Sequence, residues 1–220
     1  TTEIYTLSLL DALPIWSYIM DDQRGNVWIA TDQKGMFAYN KKTGNITTMR
    51  HQRDNLLSLA SDNATCLAVD RDGTIWVGHM KTGISYTSDA NNTMQTHALQ
   101  CGDILAMAYD TEGHLWMGTD GDGVYIEKPD GAIVKTSLPN ITVMALLSDE
   151  AGGMWAGTYN QGLYHLPDAS HWKRYAVDEG TFPSEYVWTL ARDDKGNIWT
   201  SSPIGKTVIF DPKDETTRVV

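Results

Sequence analysis

The 220-residue sequence predicts an all-β fold, a β-propeller of five four-stranded antiparallel blades, and three observations carry that reading. Asp-x-x-Gly-x-x-Trp recurs as Asp22/Gly25/Trp28, Asp70/Gly73/Trp76, Asp110/Gly113/Trp116, Asp149/Gly152/Trp155 and Asp193/Gly196/Trp199. Successive Trp residues are 48, 40, 39 and 44 positions apart, and self-similarity at a period of about 40–50 residues marks a repeat architecture. A second Gly follows the first four Trp residues by seven positions (Gly35, Gly83, Gly123, Gly162) and the fifth by six (Gly205). Between these punctuation marks lie short runs without helical spacing, enough for four strands per repeat, the signature of a propeller blade.

Copy two shows the logic of each element. Thr65–Val69 is an apolar first strand, and Asp70–Gly73 is a turn in which Asp bonds the backbone two residues on and Gly takes positive φ. Thr74–Gly78 is the second strand, with Ile75 and Val77 on one face and Trp76 and Gly78 on the other. His79–Gly83 turns the chain, Ile84–Thr87 is the third strand, and Thr93–Leu99 is a polar outer strand. The blades fall at about 15–50, 64–99, 104–136, 143–176 and 187–220. First-strand positions two and four before the Asp are mostly small (Ala68 and Cys66, Ala108 and Ala106, Ala191 and Thr189), as crowding near a propeller axis requires. The Trp lies further out, where neighbouring sheets bury its roughly 150–250 Å². The small residue two after it (Ala30, Gly78, Gly118, Gly157, Ser201) is expected to leave room for the neighbour's Trp.

Two stretches depart from the pattern. Residues 1–14 do not fit the repeat, and 4–15 (IYTLSLLDALPI) resembles translated library-adapter sequence; it reads either as non-native or as a strand donated to a neighbouring blade. In copy five Ser201 replaces Gly, and Ser202-Pro203-Ile204 replaces the polar turn. Propellers close with about 4–8 blades, so five could form a ring. An open arc, part of a larger propeller, is the preferred expectation.

Seventeen Lys and Arg against 28 Asp and Glu give a net charge of −11, spread without blocks. That balance argues against nucleic acid or an anionic membrane surface, both of which demand a basic face. Cys66 and Cys101 do not decide a redox compartment. No apolar run reaches the roughly 18 residues of a membrane helix, and no signal peptide is evident, so an anchor or leader would lie outside this chain.

The repeats resemble the two-component regulator propeller, the periplasmic sensor region of bacterial hybrid histidine kinases. The resemblance rests on 55–83 (NLLSLASDNATCLAVDRDGTIWVGHMKTG), with its Leu-Ser-Leu-x-Ser-Asp-Asn lead-in, and on 182–200 (FPSEYVWTLARDDKGNIWT), and extends over about 15–220. It implies a periplasmic, ligand-sensing part of an inner-membrane protein that recognises glycan fragments. The implied partners are an oligosaccharide, further blades and downstream sensor domains of the same protein, and a second copy in a full-length homodimer. Ile209-Phe210-Asp211-Pro212 instead resembles the repeat of antibiotic-inactivating lyase propellers.

Ligands of propellers usually bind on the face carrying the turns between second and third strands. Those turns differ between copies, which permits specialised binding. The candidate ligand-binding residues are Trp16, His79, Lys81, Asp120, Tyr159, Asn160, Gln161 and Tyr186, because aromatic planes with amide and carboxylate partners suit sugar rings. Tyr159 is the first choice, having no packing slot in the repeat, whereas Trp16 occupies a slot filled elsewhere by Ala64, Ile104, Val143 and Val187. No catalytic residue, metal site or cofactor is expected. Asp120-Gly121-Asp122-Gly123 lacks the Glu at position twelve of a calcium loop, and no HExxH, Gly-x-Ser-x-Gly or phosphate loop occurs. A lyase is the enzymatic alternative, with His79 as its base; a structural or protein-interaction propeller is the other.

Overall fold

The computed structural model describes residues 16–87 and 93–220; residues 1–14, with the two readings they allow, lie outside that range, as does the Trp16 side chain. Among the described residues, twenty strands form five four-stranded antiparallel sheets, each a simple meander. Blade one comprises β1 (Trp16–Asp21), β2 (Asn26–Thr31), β3 (Met36–Asn40) and β4 (Ile46–Met49). Blade two comprises β5 (Ala64–Val69), β6 (Ile75–His79), β7 (Ile84–Thr87) and β8 (Gln95–His97). Blade three has β9 (Ile104–Tyr109), β10 (Leu115–Thr119), β11 (Val124–Glu127) and β12 (Ile133–Lys135); blade four has β13 (Val143–Ser148), β14 (Met154–Thr158), β15 (Leu163–Leu166) and β16 (Lys173–Tyr175). Blade five has β17 (Thr189–Arg192), β18 (Ile198–Ser201), β19 (Val208–Asp211) and β20 (Thr216–Val219).

The first strands line the inside of the arc and pack in sequence order, β1 on β5, β5 on β9, β9 on β13 and β13 on β17. β17 does not return to pack on β1, so the arc is open. The first four repeated Trp residues point toward the following blade. Trp28 packs with Ala64, Leu67 and Ile75, Trp76 with Ile104 and Met117, Trp116 with Val143 and Met154, and Trp155 with Val187 and Phe210. Trp28, Trp76, Trp116 and Trp155 are 2%, 9%, 2% and 3% exposed, whereas Trp199, whose face meets no further blade, is 39% exposed.

The repeat motif becomes intelligible at the turn. In blade one the Asp22 carboxylate accepts the N–H groups of Arg24 and Asn26 (2.8 and 2.9 Å) and the Trp28 indole N–H (3.0 Å). Burial pushes its pKa up, but hydrogen bonds from the Asn26 N–H, the Trp28 indole and the Asn26 amide outweigh this and hold it at about 2. Asp110–Trp116 and Asp193–Trp199 repeat the bond at 2.8 and 3.0 Å. The six-residue spacing therefore pins the large ring of the second strand to the turn that precedes it. Blades two and four solve the problem differently: Tyr86 stacks on Trp76 at 4.5 Å, and His165 stacks on Trp155 at 4.2 Å while its Nε2 meets Asp149 at 2.7 Å.

The second Gly joins blades. At Gly162 φ is +83°, a Cβ would lie 2.2 Å from the Tyr175 carbonyl of the outer strand, and the N–H donates to the Glu185 carbonyl of the next lead-in (2.8 Å). One expectation needs correction. The small residue two after each Trp makes room for the next blade's inner strand rather than for a neighbouring Trp: a Cβ on Gly118 would meet Val143 Cγ1 at 2.7 Å, and one on Gly157 would meet Val187 Cγ1 at 2.7 Å. The first strand of copy five begins at Thr189 rather than Val187, because the Val187 N–H is given to the Thr158 carbonyl of blade four (2.9 Å).

Candidate functional site

The turns between second and third strands lie on one face of the arc, opposite the Asp-x-x-Gly turns. On that face, between blades four and five, three aromatic side chains meet. Tyr159 follows β14 directly and is 44% exposed, since the repeat assigns its position no packing partner. Its ring stacks against Trp188 at 5.5 Å with planes 21° apart, and meets Tyr186 edge-on at 6.0 Å and 87°. The indole N–H of Trp188 donates to the Tyr159 carbonyl (3.4 Å), and the Tyr159 N–H donates to the Thr142 carbonyl (3.1 Å), so both ends of the pair are held by backbone. Tyr186 and Trp188 are half-buried.

The polar candidates divide. Asn160 is exposed beside Tyr159. Gln161 is half-buried; its N–H donates to Thr158 Oγ1 (2.9 Å), its carbonyl accepts from Arg174 (3.0 Å), and its side-chain oxygen is 3.5 Å from the Tyr164 hydroxyl. Asp120, exposed on the blade-three turn, accepts the Thr142 hydroxyl at 2.8 Å, which brings it one residue contact from Tyr159. Lys81 is exposed on the blade-two turn with φ +56° and joins no contact with the aromatic group.

His79 is not on the surface at all. It is 0% exposed, and its Nε2 meets the Ser85 hydroxyl at 2.9 Å. The reason lies in the repeat: three residues after Trp, copies one, three and four carry Thr31, Thr119 and Thr158, whose hydroxyls donate to the carbonyl of the second Gly. His79 fills this turn-closing slot, and burial holds its pKa down at about 4. Aligning the copies at that position carried the signal. Trp188, the stacking partner of Tyr159, falls outside the turns and belongs to the lead-in of β17, which is why turn variability alone does not single it out.

Among the described residues no group of His, Cys, Asp and Glu is placed to hold a metal ion, Cys66 and Cys101 are free thiols, and no helix is long and apolar enough to cross a membrane. The site is thus an open aromatic platform with amide and carboxylate neighbours, a geometry that can stack a ring-shaped polar ligand.

An open arc of inward-converging four-stranded sheets, tied by Asp–Trp turns, is a β-propeller assembly. More particularly, the family model described as two component regulator propeller matches residues 58–81, 98–121 and 137–160. No curated protein sequence matches significantly. Among solved structures, the chain is similar to the extracellular domain of a B. thetaiotaomicron protein described as a one-component system (TM-score 0.73, 21% identity, 91% of this chain and 28% of that one). A second similar domain, from a B. thetaiotaomicron protein described as a hybrid two-component system, gives 0.56, 21%, 94% and 34%. Virginiamycin B lyase of Staphylococcus aureus, solved with quinupristin, gives 0.79, 15%, 97% and 72%. The chain therefore spans about a third or less of the two B. thetaiotaomicron domains. At these identities the likeness concerns the fold.

Proposed function

We propose that this chain is the ligand-sensing propeller of a membrane-bound two-component regulator, placed on the extracytoplasmic side, and that its ligand is a glycan fragment. The observation that carries the reading is the Tyr159–Trp188–Tyr186 platform, whose Tyr159 lies in a stretch that the two-component regulator propeller model matches. Sugar hydroxyls alone exchange water for protein at a net gain of about 0.5–1.5 kcal/mol per hydrogen bond. A stacking surface for the C–H face of the ring supplies the remainder, and Asn160, Gln161 and Asp120 flank it. Downstream domains of the same protein would pass binding on to a kinase. The lyase alternative loses its base, because a fully buried His79 bonded to Ser85 is out of reach of a substrate on the surface.

Tyr159→Ala is expected to weaken oligosaccharide binding by about 1 kcal/mol, roughly fivefold, without lowering the melting temperature. Asp149→Ala, on the opposite face, is expected to leave affinity unchanged. Titration calorimetry against a panel of acidic and neutral oligosaccharides measures both. Equal loss in the two variants would indicate a stability effect, and an unchanged Tyr159→Ala would remove the platform from the site.

A further inference from the structure

Glu127 stands where no other blade carries a charge. The residue paired with the position before each Trp is Tyr39, Thr87, Leu166 or Phe210 in the other blades and Glu127 in blade three. This slot packs against the Trp of the preceding blade: Phe210 meets the Trp155 ring at 5.6 Å, and Leu166 shares a core with Trp116. Glu127 is accordingly set toward Trp76, and a carboxylate cannot close that contact as an apolar side chain does. A cleft of about 680 Å³ remains between blades two and three, lined by both residues, against about 220 Å³ between blades three and four.

The polar groups in this cleft are incomplete. Glu127 is 7% exposed and Trp76 9%, yet Glu127 Oε2 and Trp76 Nε1 have no hydrogen-bond partner. The Tyr109 hydroxyl lies beside the indole but outside hydrogen-bond geometry. The other carboxylate oxygen faces His97 Nδ1 at 3.4 Å. Buried polar groups are ordinarily satisfied, and an orphaned carboxylate is costly to keep. Burial pushes the Glu127 carboxyl up to about 7, so a cationic partner would restore its ionised form.

We propose that the cleft between blades two and three is a second binding site, on the face opposite the aromatic platform, for a small organic cation: an amine or guanidinium on an aliphatic or aromatic body. Glu127 is its counter-ion. The body lies against the edge of the Trp76–Tyr86 stack and against Tyr109, aromatic surface that favours cations. The mouth carries an excess of acid, Asp70, Asp72, Glu112 and Asp130 against Arg71 and Lys128, and a net negative field draws a cation toward it. This site does not depend on the glycan reading.

The test is calorimetric titration of the 220-residue chain with benzylamine, agmatine and, as neutral isostere, benzyl alcohol. At least one of the two cations is expected to bind and benzyl alcohol not to. Glu127→Gln, which keeps shape and removes charge, should weaken the cation about tenfold or more. Glu127→Leu, the residue found in this slot of blade four, should abolish binding while raising the melting temperature. The proposal is overturned if neither cation binds, if Glu127→Gln binds as tightly as the parent, or if benzyl alcohol matches benzylamine.

Discussion

Replacing Trp116 by Ala is expected to destabilise the chain by about 3–5 kcal/mol, the range for removing a large aromatic side chain from a core. Trp116 is 2% exposed, joins blades three and four through Val143, Met154 and Ala156, and donates its indole N–H to Asp110 at 2.8 Å. The substitution removes the ring and leaves the largely buried Asp110 carboxylate without one of its donors. Trp116→Phe should cost less, because most of the apolar surface remains. Trp199→Ala makes the sharper comparison: it has the same motif and the same Asp bond, yet its ring is 39% exposed. That change should cost no more than about 1–1.5 kcal/mol. Urea unfolding of the three variants measures this, and a Trp116→Ala chain that melts with the parent would refute the inter-blade core.

Acid should destabilise the fold through His79. In the folded chain burial keeps this imidazole neutral down to a pKa of about 4, whereas the unfolded chain titrates near 6.5. Between those values the unfolded chain binds more protons. The contribution of the neutral ring is therefore fully present above about pH 6.5 and is lost as pH falls toward 4, a loss of about 2–3 kcal/mol by pH 4.5. Glu127 works in the opposite sense: its folded pKa of about 7 against an ordinary 4.5 means that its contribution is present below 4.5 and is lost as pH rises through 7. The measurement must therefore compare chains that share Glu127. His79→Thr, which installs the residue of copies one, three and four, should lose about 2–3 kcal/mol less than the parent between pH 7.5 and 4.5. Parallel loss in both chains would show that His79 is not the titrating group.

The aromatic platform illustrates how partial the sequence signal for the site is. Tyr159 stood out because every residue with a packing duty recurs and it does not. Trp188 offered no such contrast, and its ring reached Tyr159 only because the lead-in of blade five bonds back onto blade four. His79 was misplaced for the converse reason. A polar residue at a strand end reads as exposed until the turn-closing hydroxyls of its three counterparts are seen to be buried.

The sequence by itself determined the propeller. Period, turn residues and alternation are local properties, each enforced by backbone sterics and by a hydrogen bond between residues no more than seven apart, so they are written in every copy. It also marked which turns vary. Only the tertiary structure decided that the first four Trp residues face the following blade, that the arc is open with Trp199 on its uncovered face, and that Tyr159, Trp188 and Tyr186 converge. It alone set Glu127 against Trp76. Those facts depend on contacts between blades some 40 residues apart in the chain, where the side chains that meet come from different copies and no local pattern records the pairing.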